Sequence, residues 1–329
     1  MLASSVTNKP QVPPPPLPSN YPLTSPRAGG VRLATRTWAP SANSKPKAIA
    51  VIVHGGGWHS GYYGFLAEHL TKEQIFVAAY DQPGCGYSES DPNAPKGCIH
   101  VYSFDELVDE VYEAVDWAKK EAAVACNTTY KNDIPVFLIG ESFGGVQVLS
   151  AAFEFNDRMR STIGGVVVLG GSIRVAKKIL PHWAVVWVLT RIAPYYAKAK
   201  MPATVLASTF DEAFGDEEWA KVAHSDSKVC VSPKYTLGAA ASSLSSGETV
   251  LERAADFPVP LLAIHGMRDC RTQCEAMIEF VDRVGRNAEI MLVDTDGHQL
   301  LQDKPQVTTM VVEKVASWLK DTIARIELV

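Results

Sequence analysis

Ser142 lies between glycines two residues to either side, in Gly140-Glu141-Ser142-Phe143-Gly144, after a short apolar run at residues 135–139 and before a helical pattern. So sharp a strand-to-helix turn favours glycine at both flanks and raises the central side chain into a cleft. A serine hydroxyl is a poor nucleophile at neutral pH, so the arrangement demands a histidine base and an acid that orients it. Asp269 follows the apolar run 259–265, and His298 follows the run 289–293. Both stand past strand ends, on the edge where Ser142 emerges, in the order serine, acid, histidine. Asp294 and Asp296 are rival acids, poorer because they sit on the histidine's own loop. The oxyanion formed on attack needs two backbone donors. Phe143, directly after the serine, supplies one. The run His54-Gly55-Gly56-Gly57 supplies the other, with Gly56 the first choice and Gly57 the alternative, also expected against substrate. These residue types point to acyl transfer through a serine ester, with no metal and no cofactor.

The elements that must hold these residues follow from hydrophobic periodicity. Short apolar runs at 48–53, 75–80, 135–139, 165–169, 259–265 and 289–293 alternate with helical patterns at 62–72, 104–123, 143–153, 273–284 and 306–325. Such alternation predicts an α/β fold with a mostly parallel central sheet flanked by helices on both faces. About 90 residues separate the fourth run from the fifth, where a crossover needs only about 30. The excess predicts a helical cap inserted after the strand that follows the serine's helix, over the carboxyl edge of the sheet. The expected organisation is therefore a Pro-rich extended leader at 1–28, a core at 29–171 and 256–329, and a cap (lid) at 172–255. Within the cap, Trp183 and Trp187 belong to an apolar segment far too short to span a bilayer, and both are expected to touch an apolar substrate or a lipid surface.

Of 329 residues, 47% are hydrophobic and 20% charged, which excludes a disordered chain. With 31 Lys+Arg against 36 Asp+Glu, the net charge of −5 offers no basic field for nucleic acid. The six cysteines are too few for a disulfide scaffold, and Cys270 and Cys274 lack a second pair at zinc spacing. A cytoplasmic location follows as the default, with peripheral membrane contact through the cap. The leader holds eight of the 21 prolines, and no acidic residue precedes Glu68. It reads as a polyproline-like spacer, with organelle targeting left open.

Five ordered blocks carry a family resemblance. His54-Gly55-Gly56-Gly57-Trp58-His59-Ser60-Gly61-Tyr62-Tyr63 is similar to an HGxGxHSGRY block, and Asp81-Gln82-Pro83-Gly84-Cys85-Gly86-Tyr87-Ser88 to a DxxGxGxS loop. Gly140 to Gly145 resembles a GxSMGG elbow, His265-Gly266-Met267-Arg268-Asp269 an HGxxD strand end, and His298 closes the set. Together they resemble the α/β-hydrolase superfamily, more narrowly its monoacylglycerol lipase and lysophospholipase-like branch. The departures are Tyr63 or its neighbour where arginine is common, Phe143 in place of methionine, and Asp296-Gly297 before the histidine. The resemblance implies a Ser142-His298-Asp269 triad and hydrolysis of fatty acyl esters, either monoacylglycerol or lysophospholipid. The alternatives are hydrolysis of small esters or thioesters, acyl transfer with the same triad, and a non-catalytic receptor for an apolar ligand. Hormone-sensitive-lipase-like esterases share the glycine run, but typically have a GDSAGG elbow and an amino-terminal cap.

Overall fold

The computed structural model describes residues 8–25, 30–41, 45–92, 94–95, 104–127, 134–158, 163–180, 182–201, 210–231 and 235–327. Cys98 and parts of the leader and cap thus lie outside the described residues. The strands are β1 (Leu23–Thr24), β2 (Arg32–Leu33), β3 (Thr35–Trp38), β4 (Ala48–Val53), β5 (Ile75–Tyr80), β6 (Val136–Glu141), β7 (Ile163–Leu169), β8 (Leu261–Gly266) and β9 (Ala288–Val293). The helices are α1 (Gly64–Lys72), α2 (Phe104–Ala125), α3 (Phe143–Arg158), α4 (Trp183–Ile192), α5 (Glu217–Ser225), α6 (Leu237–Glu252), α7 (Cys274–Val284) and α8 (Pro305–Ile326).

Seven strands form one sheet in the order β3-β5-β4-β6-β7-β8-β9, all parallel except β3, which runs antiparallel to β5. The central strands are apolar on both faces because both are covered. In β4, Ile49, Val51 and Val53 join the core beneath α2, α3 and α7, while Ala48, Ala50 and Ile52 join the core beneath α1 and α8. This two-residue alternation divides one strand between two cores. The parallel run of β4 to β9 brings the carboxyl ends of these strands, and so the loops that follow, to one edge.

Helices α4, α5 and α6 lie between β7 and β8. Segments of this insertion bond directly to loops at that edge. Cys230 N donates to Gly57 O at 2.9 Å, and Ala213 O accepts from His298 N at 2.8 Å and Gln299 N at 2.9 Å. Asp226 accepts from Tyr62 Oη at 3.1 Å and lies 2.9 Å from His59 Nε2.

The described part of the leader runs extended along the core. Asn20 Nδ2 and Tyr21 N donate to Glu121 of α2 at 2.8 and 2.6 Å, Trp117 Nε1 donates to Tyr21 O at 3.1 Å, and Ser25 Oγ donates to Glu110 at 2.6 Å. Farther back, Pro14 O accepts from Arg36 at 2.6 Å. Strand β1 pairs antiparallel with β2. Glu110 and Glu121 are buried, so the leader supplies hydrogen bonds that water would otherwise make.

Candidate active site

Ser142 falls between the last residue of β6 and the first of α3, with φ of 54°. For a residue other than glycine this left-handed conformation costs about 1–3 kcal/mol and must be held by its surroundings. Its amide donates to Leu169 O at 2.9 Å, and its carbonyl accepts from Gly145 N and Ser172 N, each at 3.0 Å. The turn is too tight for side chains around it. A Cβ on Gly144 would stand 2.2 Å from Val53 O, and one on Gly55 would stand 3.0 Å from Ser142 Cβ. The glycine loop after β4 is therefore pressed against the serine. Phe143 opens α3, where the first-turn N–H groups lack intrahelical partners.

His54 ties that loop down. Its Nε2 accepts from Gln82 N at 2.8 Å, Gln82 Nε2 donates to His54 O at 2.7 Å, and Gln147 donates to Gln82 at 3.0 Å. With Nε2 an acceptor, Nδ1 carries the proton and donates to Gly55 O at 2.7 Å. Burial lowers the imidazole to about 4, so the ring stays neutral in its structural place at ordinary pH.

Asp269 and His298 meet at the carboxyl edge. His298 Nδ1 lies 2.7 Å from Asp269 Oδ2, and both side chains are buried. The carboxylate also accepts from Arg271 N at 2.7 Å and Thr272 N at 3.1 Å on Oδ1, and from Thr272 Oγ1 at 2.8 Å on Oδ2. Burial works to push this carboxyl up, but the charge and hydrogen bonds of His298 and His265 overcome it and hold the group well below the usual carboxylate range. The rival acids lie elsewhere: Asp294 and Asp296 are exposed and both bond to the Arg268 guanidinium. Gly170, directly after the strand whose Leu169 O holds the Ser142 amide, would place a Cβ 3.3 Å from His298 Nδ1. The structure thus brings serine, histidine and aspartate loops to one place.

Several neighbours carried no signal in the sequence. Tyr235, next to α6, packs like Phe143 against the small core of Leu107 and Ala239, and its hydroxyl would stand 2.8 Å from a Cβ on Gly56. Burial pushes this phenol up to about 12, so it is protonated. Glu141 and Tyr63 are buried beneath the serine and joined by a 2.5 Å hydrogen bond. Thr272 reached notice only through Asp269. Trp183 and Trp187 stand on the surface of α4, 73% and 54% exposed, the latter with Arg191 against its ring. Among the described residues, no group of three His, Cys, Asp or Glu side chains converges as a metal site requires.

A largely parallel sheet with helices on both faces, a serine strained between strand and helix, and a histidine-carboxylate pair at the same edge define the α/β-hydrolase class. Residues 44–305 match the profile of the family described as serine aminopeptidase, S33, and the chain belongs to that family. It is similar to the monoglyceride lipase of Rattus norvegicus, 25% identical over 301 residues, covering 90% of this chain and 89% of that one. It is also similar to an uncharacterised abhydrolase domain-containing protein of Dictyostelium discoideum, 26% identical, over 88% of this chain and 28% of that longer relative. The fold matches a soluble variant of monoglyceride lipase from Saccharomyces cerevisiae, solved with a substrate analogue, with a TM-score of 0.74 at 17% identity over 95% of this chain and 97% of that one. The chain is a monoacylglycerol lipase-like α/β-hydrolase, and so a carboxylic ester hydrolase. No described helix is long and apolar enough to cross a membrane.

Proposed function

We propose that the chain hydrolyses carboxylic esters of fatty acyl chains, monoacylglycerols or lysophospholipids, through a Ser142-His298-Asp269 triad. The observation that carries this reading is the 2.7 Å His298–Asp269 hydrogen bond beside a serine held at φ of 54°. Asp269, kept ionised by its donors, holds the proton of His298 on Nδ1 and leaves Nε2 basic. As substrate enters, Nε2 takes the Ser142 proton while Oγ attacks the ester carbonyl, a contact that tightens as the complex forms. The new oxyanion is stabilised by the N–H groups of Gly56 and Phe143. His298 then delivers its proton to the departing alcohol, and the acyl-enzyme remains. Water, deprotonated by the same nitrogen, attacks that ester and frees the fatty acid. No metal or cofactor enters these steps.

A fatty acyl substrate is supported by the outward apolar face of α4, with Trp183, Trp187 and Val188 exposed, and by the lipase names of the relatives. In this reading the tryptophans touch the lipid surface from which substrate is drawn, and the protein meets the membrane transiently through its cap. The test has two parts. A fluorophosphonate should label Ser142 and no other residue. A series of acylglycerols, lysophospholipids and p-nitrophenyl esters should show kcat/KM rising with acyl length. Labelling elsewhere removes the nucleophile, and a preference for acetyl over long-chain esters removes the substrate class.

A further inference from the structure

Directly behind the serine, three side chains from three separate loops form a buried polar chain. Glu141, the last residue of β6, is buried and precedes Ser142. Tyr63, just before α1 and fully buried, donates its hydroxyl to Glu141 Oε2 at 2.5 Å. The same phenol stands near the backbone of Gly55, the residue pressed against Ser142. Gln299 follows His298, and with its amide nitrogen turned toward the carboxylate it donates to Glu141 at 2.8 and 3.1 Å. The backbone of His298 and Gln299 is pinned by Ala213 O of the cap. A hydrogen-bonded path therefore runs from Tyr63, beside Gly55, through Glu141 to Gln299, which follows His298.

A buried carboxylate is poor material for stability alone, because desolvation offsets much of what its partners return, and an apolar pair of like volume packs as well. What it provides is direction. It fixes its donors at set distances, and here those donors are Tyr63, in the segment that continues from the glycine loop, and Gln299 of the histidine loop. We propose that Glu141 is a positioning residue that ties the oxyanion loop to the His298 loop and sets their spacing for acyl transfer at Ser142. The proposal rests on the triad reading above.

The charged and titratable groups that bear on Glu141 are Tyr63, protonated because burial and the neighbouring carboxylate push it up, and His298, whose charge favours the ionised carboxylate. Asp81 bears on the network through Tyr63. Burial raises Glu141 itself to about 7. Activity that uses the ionised carboxylate is lost as pH falls through about 7, and a neutral amide removes that titration, so Glu141→Gln should move the acidic limb of kcat/KM to lower pH.

The experiment compares wild type, Glu141→Gln, Tyr63→Phe and the double variant, by fluorophosphonate labelling rate at Ser142, kcat and KM on a short p-nitrophenyl ester, pH profile and melting temperature. Each single change should lower kcat and labelling rate by about 10- to 100-fold, the scale of a sub-ångström to 1 Å misplacement, with KM within about twofold. The double variant should be no worse than the worse single one, since the two residues act as one unit. Only Glu141→Gln should shift the acidic limb. Labelling and kcat within twofold of wild type in both single variants would overturn the proposal, as would additive losses with an unmoved pH profile. If Glu141→Gln fails to fold, Tyr63→Phe, which removes one oxygen atom, decides alone on the kcat and labelling criteria. Absence of labelling at Ser142 in wild type would instead refute the triad reading.

Discussion

Replacing Asp269 with asparagine separates orientation from packing, and the hydrogen bonds around the carboxylate dictate what the amide must do. Oδ1 accepts two backbone N–H groups, from Arg271 at 2.7 Å and Thr272 at 3.1 Å, and neither donor can turn away. The amide oxygen is therefore held on that side. Its NH2 must then face Thr272 Oγ1 and His298 Nδ1, at the positions where the carboxylate now accepts at 2.8 and 2.7 Å. The threonine hydroxyl rotates and accepts. The imidazole has one response, to present Nδ1 as an acceptor and carry its proton on Nε2, where it cannot take the proton of Ser142. The charge that stabilises imidazolium is lost as well. A fall in kcat of roughly 10²- to 10⁴-fold, about 3–5 kcal/mol of barrier, is expected, with KM little changed. Stopped-flow hydrolysis of a p-nitrophenyl ester measures it, and circular dichroism checks the fold. A loss under tenfold, or a larger loss in Asp294→Asn or Asp296→Asn, would refute the reasoning.

Ser142→Ala should lower turnover about 10⁴-fold or more with the melting temperature nearly unchanged, because the backbone bonds of residue 142, not its hydroxyl, hold the turn; undiminished hydrolysis would remove Ser142 from the chemistry. Trp183→Ser with Trp187→Ser should lower activity on micellar long-chain monoacylglycerol at least about tenfold more than on a soluble short ester, the scale of two interfacial indoles lost. Equal loss on both substrates, or a large drop in melting temperature, would assign the tryptophans to packing instead. Removal of residues 1–25 breaks the bonds to Glu110 and Glu121 and takes away Leu23, which is buried in the core. Allowing for water to replace part of what is lost, the urea midpoint should report roughly 3–6 kcal/mol less stability; a change below about 1 kcal/mol would show the leader to be a passive spacer.

The parallel core was legible because its strands are buried on both faces and its helices carry one apolar stripe, patterns that survive in one dimension. The leader's attachment was not. Its bonds to α2 end on Glu110 and Glu121, which carry no apolar signal, and one of its donors is the backbone N–H of Tyr21. The same reason hid the network behind the serine. Ser142 is marked by its two glycines, whereas Glu141 occupies the unspecified position of the elbow and Gln299 merely follows a histidine. Their meeting with Tyr63 depends on three loops, 78 residues apart for the Tyr63–Glu141 pair, arriving at one sheet edge. Tyr235 was missed because only the folded cap carries it back over Gly56.

The proposed function also assigns unequal work to the two sections of the cap. Its later section is fastened to the catalytic loops through Ala213 O on His298 and Gln299, Asp226 on His59 and Tyr62, and Cys230 N on Gly57. Moving that section would carry the loops with it and disturb the distances on which acyl transfer depends. The residues before α4 are tied to the Asp269 loop, with Ala176 N donating to Arg271 O and Gln273 N to Arg174 O, but α4 itself, among the described residues, offers its exposed tryptophans without a hydrogen bond to the triad loops and packs on α6. Admission of a lipid through displacement of α4 leaves the histidine and glycine loops in register. Admission through the later section breaks their anchors. Substrate entry on the α4 side is therefore the route compatible with a site already in place when the ester arrives.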